Sequence, residues 1–122
     1  MKWMMFLIVL VLAGCAWQGA TLDLEGTQWQ LESIEGAALI PGSMITLQFD
    51  ADGIAGGNAG CNSYGGNYSL EGSRIMFSEL ASTLMACLEE GIMEQEAVYL
   101  AALSSAQEVS REGDRLTITS DG

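Results

Sequence analysis

The sequence has no histidine, a single lysine, and four basic side chains in all against 16 acidic ones in 122 residues. Without imidazole there is no Ser-His or Cys-His nucleophile pair and no zinc site of the kind that needs His. A formal charge of −12 argues against nucleic acid, whose phosphates have to be neutralised by Lys and Arg. Charged residues make up only 16% and apolar ones 49%, too hydrophobic a balance for a disordered acidic tail. The length supports one domain with one core. These exclusions leave a binding or structural module, or an enzyme that works with carboxylates.

Residues 1 to 14, MKWMMFLIVLVLAG, place one Lys before an apolar run from Trp3 to Leu12 and end on small residues. The run is about ten residues, half the roughly 20 a spanning helix needs, which predicts a signal peptide over a transmembrane anchor. Leu12-Ala13-Gly14-Cys15 resembles the lipobox of bacterial lipoproteins. That resemblance implies cleavage before Cys15 and acylation of its thiol and new amino terminus, a stable membrane anchor because more than one chain is attached. The alternative is a soluble secreted protein with Cys15 as a spare thiol. Ala16 after the Cys implies, by the enterobacterial sorting pattern, an outer-membrane protein facing the periplasm. Cleavage would remove Lys2, the only lysine, and leave three Arg against 16 acids. Ser-Lys catalysis, Schiff-base chemistry and a P-loop lysine would then be excluded as well. With Cys15 assigned to lipid, Cys61 and Cys87 remain, and an oxidising envelope makes a disulfide between them the natural expectation. No Cys-x-x-Cys is present, which favours a structural bridge over a redox pair.

Ala16 to Leu24 reads as a tether, with the domain expected from residue 26 to 122. From Thr27 to Glu35, Trp29 and Leu31 alternate with polar residues in the period of a half-buried strand. Ile45, Leu47 and Phe49 do the same after Pro41-Gly42, and Asp50-Ala51-Asp52-Gly53 predicts a turn into a returning strand at 54–57. Five glycines between residues 56 and 66 predict a bend-rich connection instead of an element interior. Further strands are predicted at 67–70 and 74–78, joined at Glu71-Gly72-Ser73, and at 108–110 and 116–119, joined at Glu112-Gly113-Asp114. Leu80 to Leu88 is ambiguous, with extended structure favoured. The clearest helix spans Met93 to Ser105, with Met93, Ala97, Leu100 and Leu103 or Ala101 on one face. The fold class predicted is α+β: a small antiparallel sheet or partial barrel with one α-helix packed against it.

The segment Gly60-Cys61-Asn62-Ser63-Tyr64-Gly65-Gly66-Asn67-Tyr68 and, about 20 residues on, Leu80-Ala81-Ser82-Thr83-Leu84-Met85-Ala86-Cys87 resemble the META (HslJ-like) domain family. Met93-Glu94-x-Glu96 opening a helix, the Trp29-x-Leu31 strand and Leu47-Gln48-Phe49 before Gly53 fit the same pattern. The resemblance covers roughly residues 26 to 119. It implies a compact antiparallel sheet or partial barrel with one helix, often tethered at the bacterial envelope, linked to stress response and drug tolerance and without an established reaction. Family domains continue past their G-x-x-L-x-L strand into another strand. This chain stops at Ser120-Asp121-Gly122, where the last turn would begin; the alternatives are a truncated chain or an absent last strand, either of which would leave a normally paired edge open.

Several clusters could carry chemistry. Asp50-x-Asp52-Gly53 has the opening of a calcium loop, but position 12 counted from Asp50 is Cys61 where a Glu is needed, so a hairpin turn is predicted and no metal site. The glycine cluster lacks GxxxxGK[ST] and GxGxxG and predicts no phosphate site; no cofactor is expected. Glu89 with Glu90, or Glu94 with Glu96, could act as acid and base, yet neighbouring glutamates at a helix start are usually solvated dipole partners. Asn62, Tyr64 and Tyr68 are candidates to line a ligand groove. The competing expectation packs the tyrosines beside Cys61 with their phenols at the surface. Met85, Met93 and Leu100 are expected in the core. The function expected is that of a non-enzymatic envelope lipoprotein whose partners are the membrane, through Cys15, and an envelope protein or small ligand. The rivals are a carboxylate- or calcium-dependent hydrolase and an inhibitor or chaperone-like protein that captures an extended segment on an edge strand.

Overall fold

A computed structural model describes residues 22–120; the signal segment, the lipid site at Cys15 and Asp121-Gly122 lie outside the described residues. Nine strands and one helix follow one another: β1 Gln28–Gln30, β2 Ser33–Ile34, β3 Ala37–Ala38, β4 Thr46–Phe49, β5 Ile54–Asn58, β6 Ser63–Glu71, β7 Arg74–Ser82, α1 Ile92–Ser104, β8 Ala106–Glu112 and β9 Arg115–Ser120. Seven of the strands form an antiparallel sheet in the order β1-β4-β5-β6-β7-β8-β9, curled into a nearly closed barrel with α1 packed against it. β2 and β3 make a separate hairpin through Glu35-Gly36. This is the architecture that strand periodicity and the family resemblance predict.

Period-two alternation builds the interior. Ile45, Leu47 and Phe49 enter from β4 and the residue before it, Ala55 from β5, Tyr64 from β6, Ile75 and Phe77 from β7, and Val109 from β8. Phe49 meets Tyr68 edge-on with ring centroids 4.8 Å apart, and Phe77 at 6.2 Å, which sets an aromatic cluster in the middle of the sheet. Leu24, expected in the tether, is fully buried, and the Gly26 N–H donates to Phe49 O at 2.7 Å. The folded region therefore begins before Gly26.

Three local expectations change. The glycine-rich stretch is not a loose connection: Gly56 and Gly57 lie inside β5, and Gly65 and Gly66 inside β6. A Cβ at Gly57 would collide with the Thr46 carbonyl, and one at Gly66 would come within 2.8 Å of Ser78 O. Here glycine lets neighbouring backbones approach, close to the register shift between Gly65 and Asn67. The strand expected over 27–35 is broken at Leu31-Glu32 into β1 and β2, and β2 then turns into β3 at Glu35-Gly36, where the φ of 53° at Glu35 is unusual for a residue with a Cβ. The buried face of α1 is Ile92, Glu96, Tyr99 and Leu103; Leu103 belongs to the stripe predicted, whereas the other three each precede a predicted position by one, because a glutamate and a tyrosine point inward.

Candidate functional site

The residues that carry the sequence motifs converge on one buried carboxylate. Glu96 enters the interior from α1, and Oε1 accepts the successive backbone N–H groups of Cys61 at 2.9 Å and Asn62 at 2.7 Å. Its Oε2 accepts Asn62 Nδ2 at 2.6 Å. Paired N–H groups at a tight turn form a small anion cradle, and here the protein supplies its own anion. Burial by itself would raise the Glu96 pKa. The Asn62 side-chain bond and the two backbone donors outweigh that effect and hold the carboxyl below the ordinary carboxylate range.

Asn62 spends its remaining capacity on the loop after β7. Nδ2 also donates to Met85 O at 3.1 Å, while Oδ1 accepts the Met85 N–H at 2.6 Å and the Thr83 hydroxyl at 2.8 Å. All four hydrogen-bonding positions of the amide are thus filled. The Cys61–Cys87 disulfide, with Cα atoms 6.0 Å apart, ties the far end of that loop to the same turn. The loop is held at both ends while its side chains face out: Leu84 and Leu88 are 95% and 96% exposed, and Met85, expected in the core, is 56% exposed. Met93 and Leu100 are only half-buried.

A second polar pair lies deeper in the barrel. Tyr64 Oη donates to Thr46 O at 2.8 Å, so the bond between the two phenols has Tyr99 as donor and Tyr64 as acceptor. Burial pushes Tyr64 up to about 12, partly offset by the Tyr99 bond. Tyr99 is raised further, by burial, by the neighbouring Tyr64 and by its role as donor. Both stay neutral at any physiological pH. Tyr68 is half-buried against Phe49, its pKa raised by burial and by the carboxylates of Glu25, Asp23 and Asp50.

The open surface lies elsewhere, between the two ends of the sheet. Among the described residues no backbone hydrogen bond joins β1 to β9. A cleft of about 770 Å³ opens there, walled by residues 29–36 on one side and 114–120 on the other. Its floor is Thr46 and Leu47 of β4 with Tyr99 and Leu103 of α1. Two side-chain contacts reach across: Arg115 pairs with Glu32 at 3.1 Å, and the Arg111 guanidinium sits 5.0 Å from the centroid of the Trp29 ring. The ion pair is exposed on both sides, so it is worth at most about 1 kcal/mol.

The META domain profile matches residues 22–122. The chain belongs to the META domain family. It is similar in fold to an NMR structure of a protein from Burkholderia xenovorans, at 26% identity, TM-score 0.64 and 88% coverage of each chain. A second NMR structure matches at 22% identity and TM-score 0.63, over 76% of this chain and 80% of that one. No curated protein matches.

Within this META domain the structure joins Cys61 to Cys87 and brings Asn62 to the same cluster. It does not bring Asn62, Tyr64 and Tyr68 together as a groove. Asn62 and Tyr64 are 2% and 7% exposed, with their polar atoms bonded internally, and the phenol of Tyr64 lies inside the barrel instead of at the surface. Asp50 to Gly53 forms the turn that was predicted, a 3-10 turn over Ala51–Gly53 with Gly53 at φ 73°. Of the carboxylate pairs, Glu89, Glu90 and Glu94 are exposed, whereas Glu96 is buried, against the expectation of a solvated pair. A signal for Glu96 was present: Ile92, Glu96, Tyr99 and Leu103 are spaced by four, three and four residues, so the glutamate stands on an apolar stripe.

Proposed function

We propose that this META-domain protein is a non-enzymatic, lipid-anchored binding module of the bacterial envelope, held through Cys15 at the outer membrane facing the periplasm and acting in envelope stress or drug tolerance. The observation that carries the binding part is the cleft between β1 and β9, with Leu47, Tyr99 and Leu103 on its floor and a volume in the range of real ligand sites. The non-enzymatic part is supported by how the buried ionisable groups are used. Glu96 is occupied by three donors, and Tyr64 and Tyr99 by each other and by Thr46 O. The anchor is supported by Leu12-Ala13-Gly14-Cys15. A disulfide across the motif cluster suits an oxidising compartment.

The anchor is tested directly. Cys15→Ala is expected to abolish fatty-acid labelling and move the protein from the membrane to the soluble fraction; unchanged fractionation refutes it. The stress role is tested by a deletion strain under heat, membrane-active drugs and novobiocin. The deletion strain is expected to be sensitive, and tolerance should be restored by the wild-type chain and not by the Cys15 variant.

A further inference from the structure

A single leucine in water needs no explanation, but Leu84 is almost wholly exposed on a backbone that is braced from the interior. The residue on each side of it is fixed. The Thr83 N–H donates to Ser63 O at 3.0 Å, and its hydroxyl to Asn62 Oδ1 at 2.8 Å. Met85 is bonded to Asn62 through both its N–H and its C=O, at 2.6 and 3.1 Å. Asn62 is buried and held in turn by Glu96, and the bond to Cys61 fixes the loop again at Cys87. Between these points the N–H and C=O of Leu84 make no hydrogen bond among the described residues. A buried carboxylate and a fully bonded buried amide thus serve to hold one outward-facing peptide in a single shape.

That peptide offers what a peptidase requires of a bound chain: no helix over residues 83–88, an apolar side chain free to enter a pocket, and a carbonyl free to turn into an oxyanion hole. It also has what lets a bound chain survive. When a serine peptidase attacks, its Ser Oγ bonds to the Leu84 carbonyl carbon and the C–N bond to Met85 breaks. The hydroxyl proton passes through the peptidase's His to the Met85 nitrogen. An ordinary substrate loses that amine to solution, and water takes its place. Here Asn62 grips Met85 at both backbone groups and Cys87 is bonded to Cys61, so the amine stays beside the acyl carbon. It re-forms the peptide, and the proton returns through the His to Ser Oγ. A loop fixed beforehand also loses little entropy on docking.

We propose that the loop 83–87 is a reactive-site loop, with Leu84–Met85 as its target bond, that inhibits a serine peptidase whose primary specificity pocket is apolar. Leu88, also almost wholly exposed, adds a second apolar contact on the leaving-group side. A second copy of this chain does not suit the loop. Glu89, Glu90 and Glu94 follow it, all exposed, and no Lys or Arg occurs between Arg74 and Arg111, so two copies would set like charges together. The proposal rests on the reading of the domain as a binding module, for which it names a partner, and depends on neither the β1/β9 cleft nor the lipid anchor.

The test uses the full chain in mild detergent against chymotrypsin, whose pocket is apolar, and trypsin, whose pocket carries a carboxylate, with hydrolysis of a chromogenic peptide as the readout. Competitive inhibition of chymotrypsin is expected with a constant of about 1 µM or below, and none of trypsin. Leu84→Lys should transfer inhibition to trypsin and weaken it against chymotrypsin about 100-fold or more. The side chain lies in water, so this variant folds as the wild type does. Mass spectrometry of the chymotrypsin mixture should find one cut, between Leu84 and Met85, with the two pieces joined by the disulfide. Fresh enzyme should return the purified cut form to intact chain.

No inhibition of chymotrypsin at about 100 µM protein overturns the proposal. Inhibition that Leu84→Lys leaves unchanged overturns it as well, because the contact then lies elsewhere on the domain. Rapid cleavage at Leu84–Met85 without inhibition shows a loop that is accessible but not held, and overturns it too. Each of these results leaves the binding-module reading standing, since the cleft carries that reading.

Discussion

Glu96 carries a charge into the interior with no cation beside it. The only ion pair among the described residues is Arg115–Glu32, on the surface. What replaces the cation is geometry: two successive backbone N–H groups at the Cys61-Asn62 turn and an amide N–H, all aimed at the carboxylate. Glu96→Gln would set an NH2 group against one of those donors. The expected cost near pH 7 is about 2–4 kcal/mol, read from urea or thermal unfolding. The sign of the pH dependence follows from the direction of the shift. The folded pKa lies below the ordinary value of 4.5, so the stabilisation is fully present above that value and is lost as the pH falls through the folded pKa. The gap between wild type and Glu96→Gln should therefore close on acidification. A gap that stays constant from pH 7 to about pH 3 would mean that the carboxylate charge is not what holds the turn.

At the scale of elements, the motifs turn out to be the parts of one clamp. Cys61 and Asn62 lie just before β6, Thr83 to Cys87 just after β7, and Glu96 on α1; these three segments meet only in the folded chain. Their identity as a motif was legible in the sequence, as were the alternating face of β4 and the existence of β7 and β9, since period two survives where one face is buried and turn residues mark the hairpins. The cleft was not legible, because it depends on how many strands pair and in which direction, a property no local window contains. The glycines were misread for a related reason: glycine marks close backbone approach as well as turns, and only the packing distinguishes them. The clamp gives a prediction of its own. Closing a 26-residue separation by the Cys61–Cys87 bond should stabilise by about 3–4 kcal/mol in the chain-entropy account. Replacing both cysteines with Ala should thus lower Tm by more than about 10 °C in scanning calorimetry. Leu84→Ser and Leu88→Ser, by contrast, should leave stability within about 0.5 kcal/mol of wild type, because those side chains are bonded to nothing. A large loss from either serine variant would show that the loop packs against something in solution.

The whole molecule sets acidic self-repulsion against a small core. Residues 22–120 hold 15 Asp and Glu against three Arg, of which Arg115 is tied to Glu32 and Arg111 lies over Trp29. Attractive pairs are therefore few and exposed, whereas like charges surround the barrel. Salt screens both, and with this imbalance the repulsion is the larger quantity to lose. Tm is expected to rise by roughly 2–5 °C between about 10 mM and about 150 mM sodium chloride; a fall would show that the contacts across the cleft outweigh the net charge. The same experiment separates screening from a specific ion. Asp50 and Asp52 sit on a turn between β4 and β5, with no described group of three His, Cys, Asp or Glu side chains placed to hold a metal. Calcium chloride at matched ionic strength should reproduce the sodium chloride curve. A saturable rise in Tm above that curve would identify a calcium site and return the carboxylate-enzyme reading to contention, since binding to the folded state alone adds stability in proportion to the logarithm of ligand concentration.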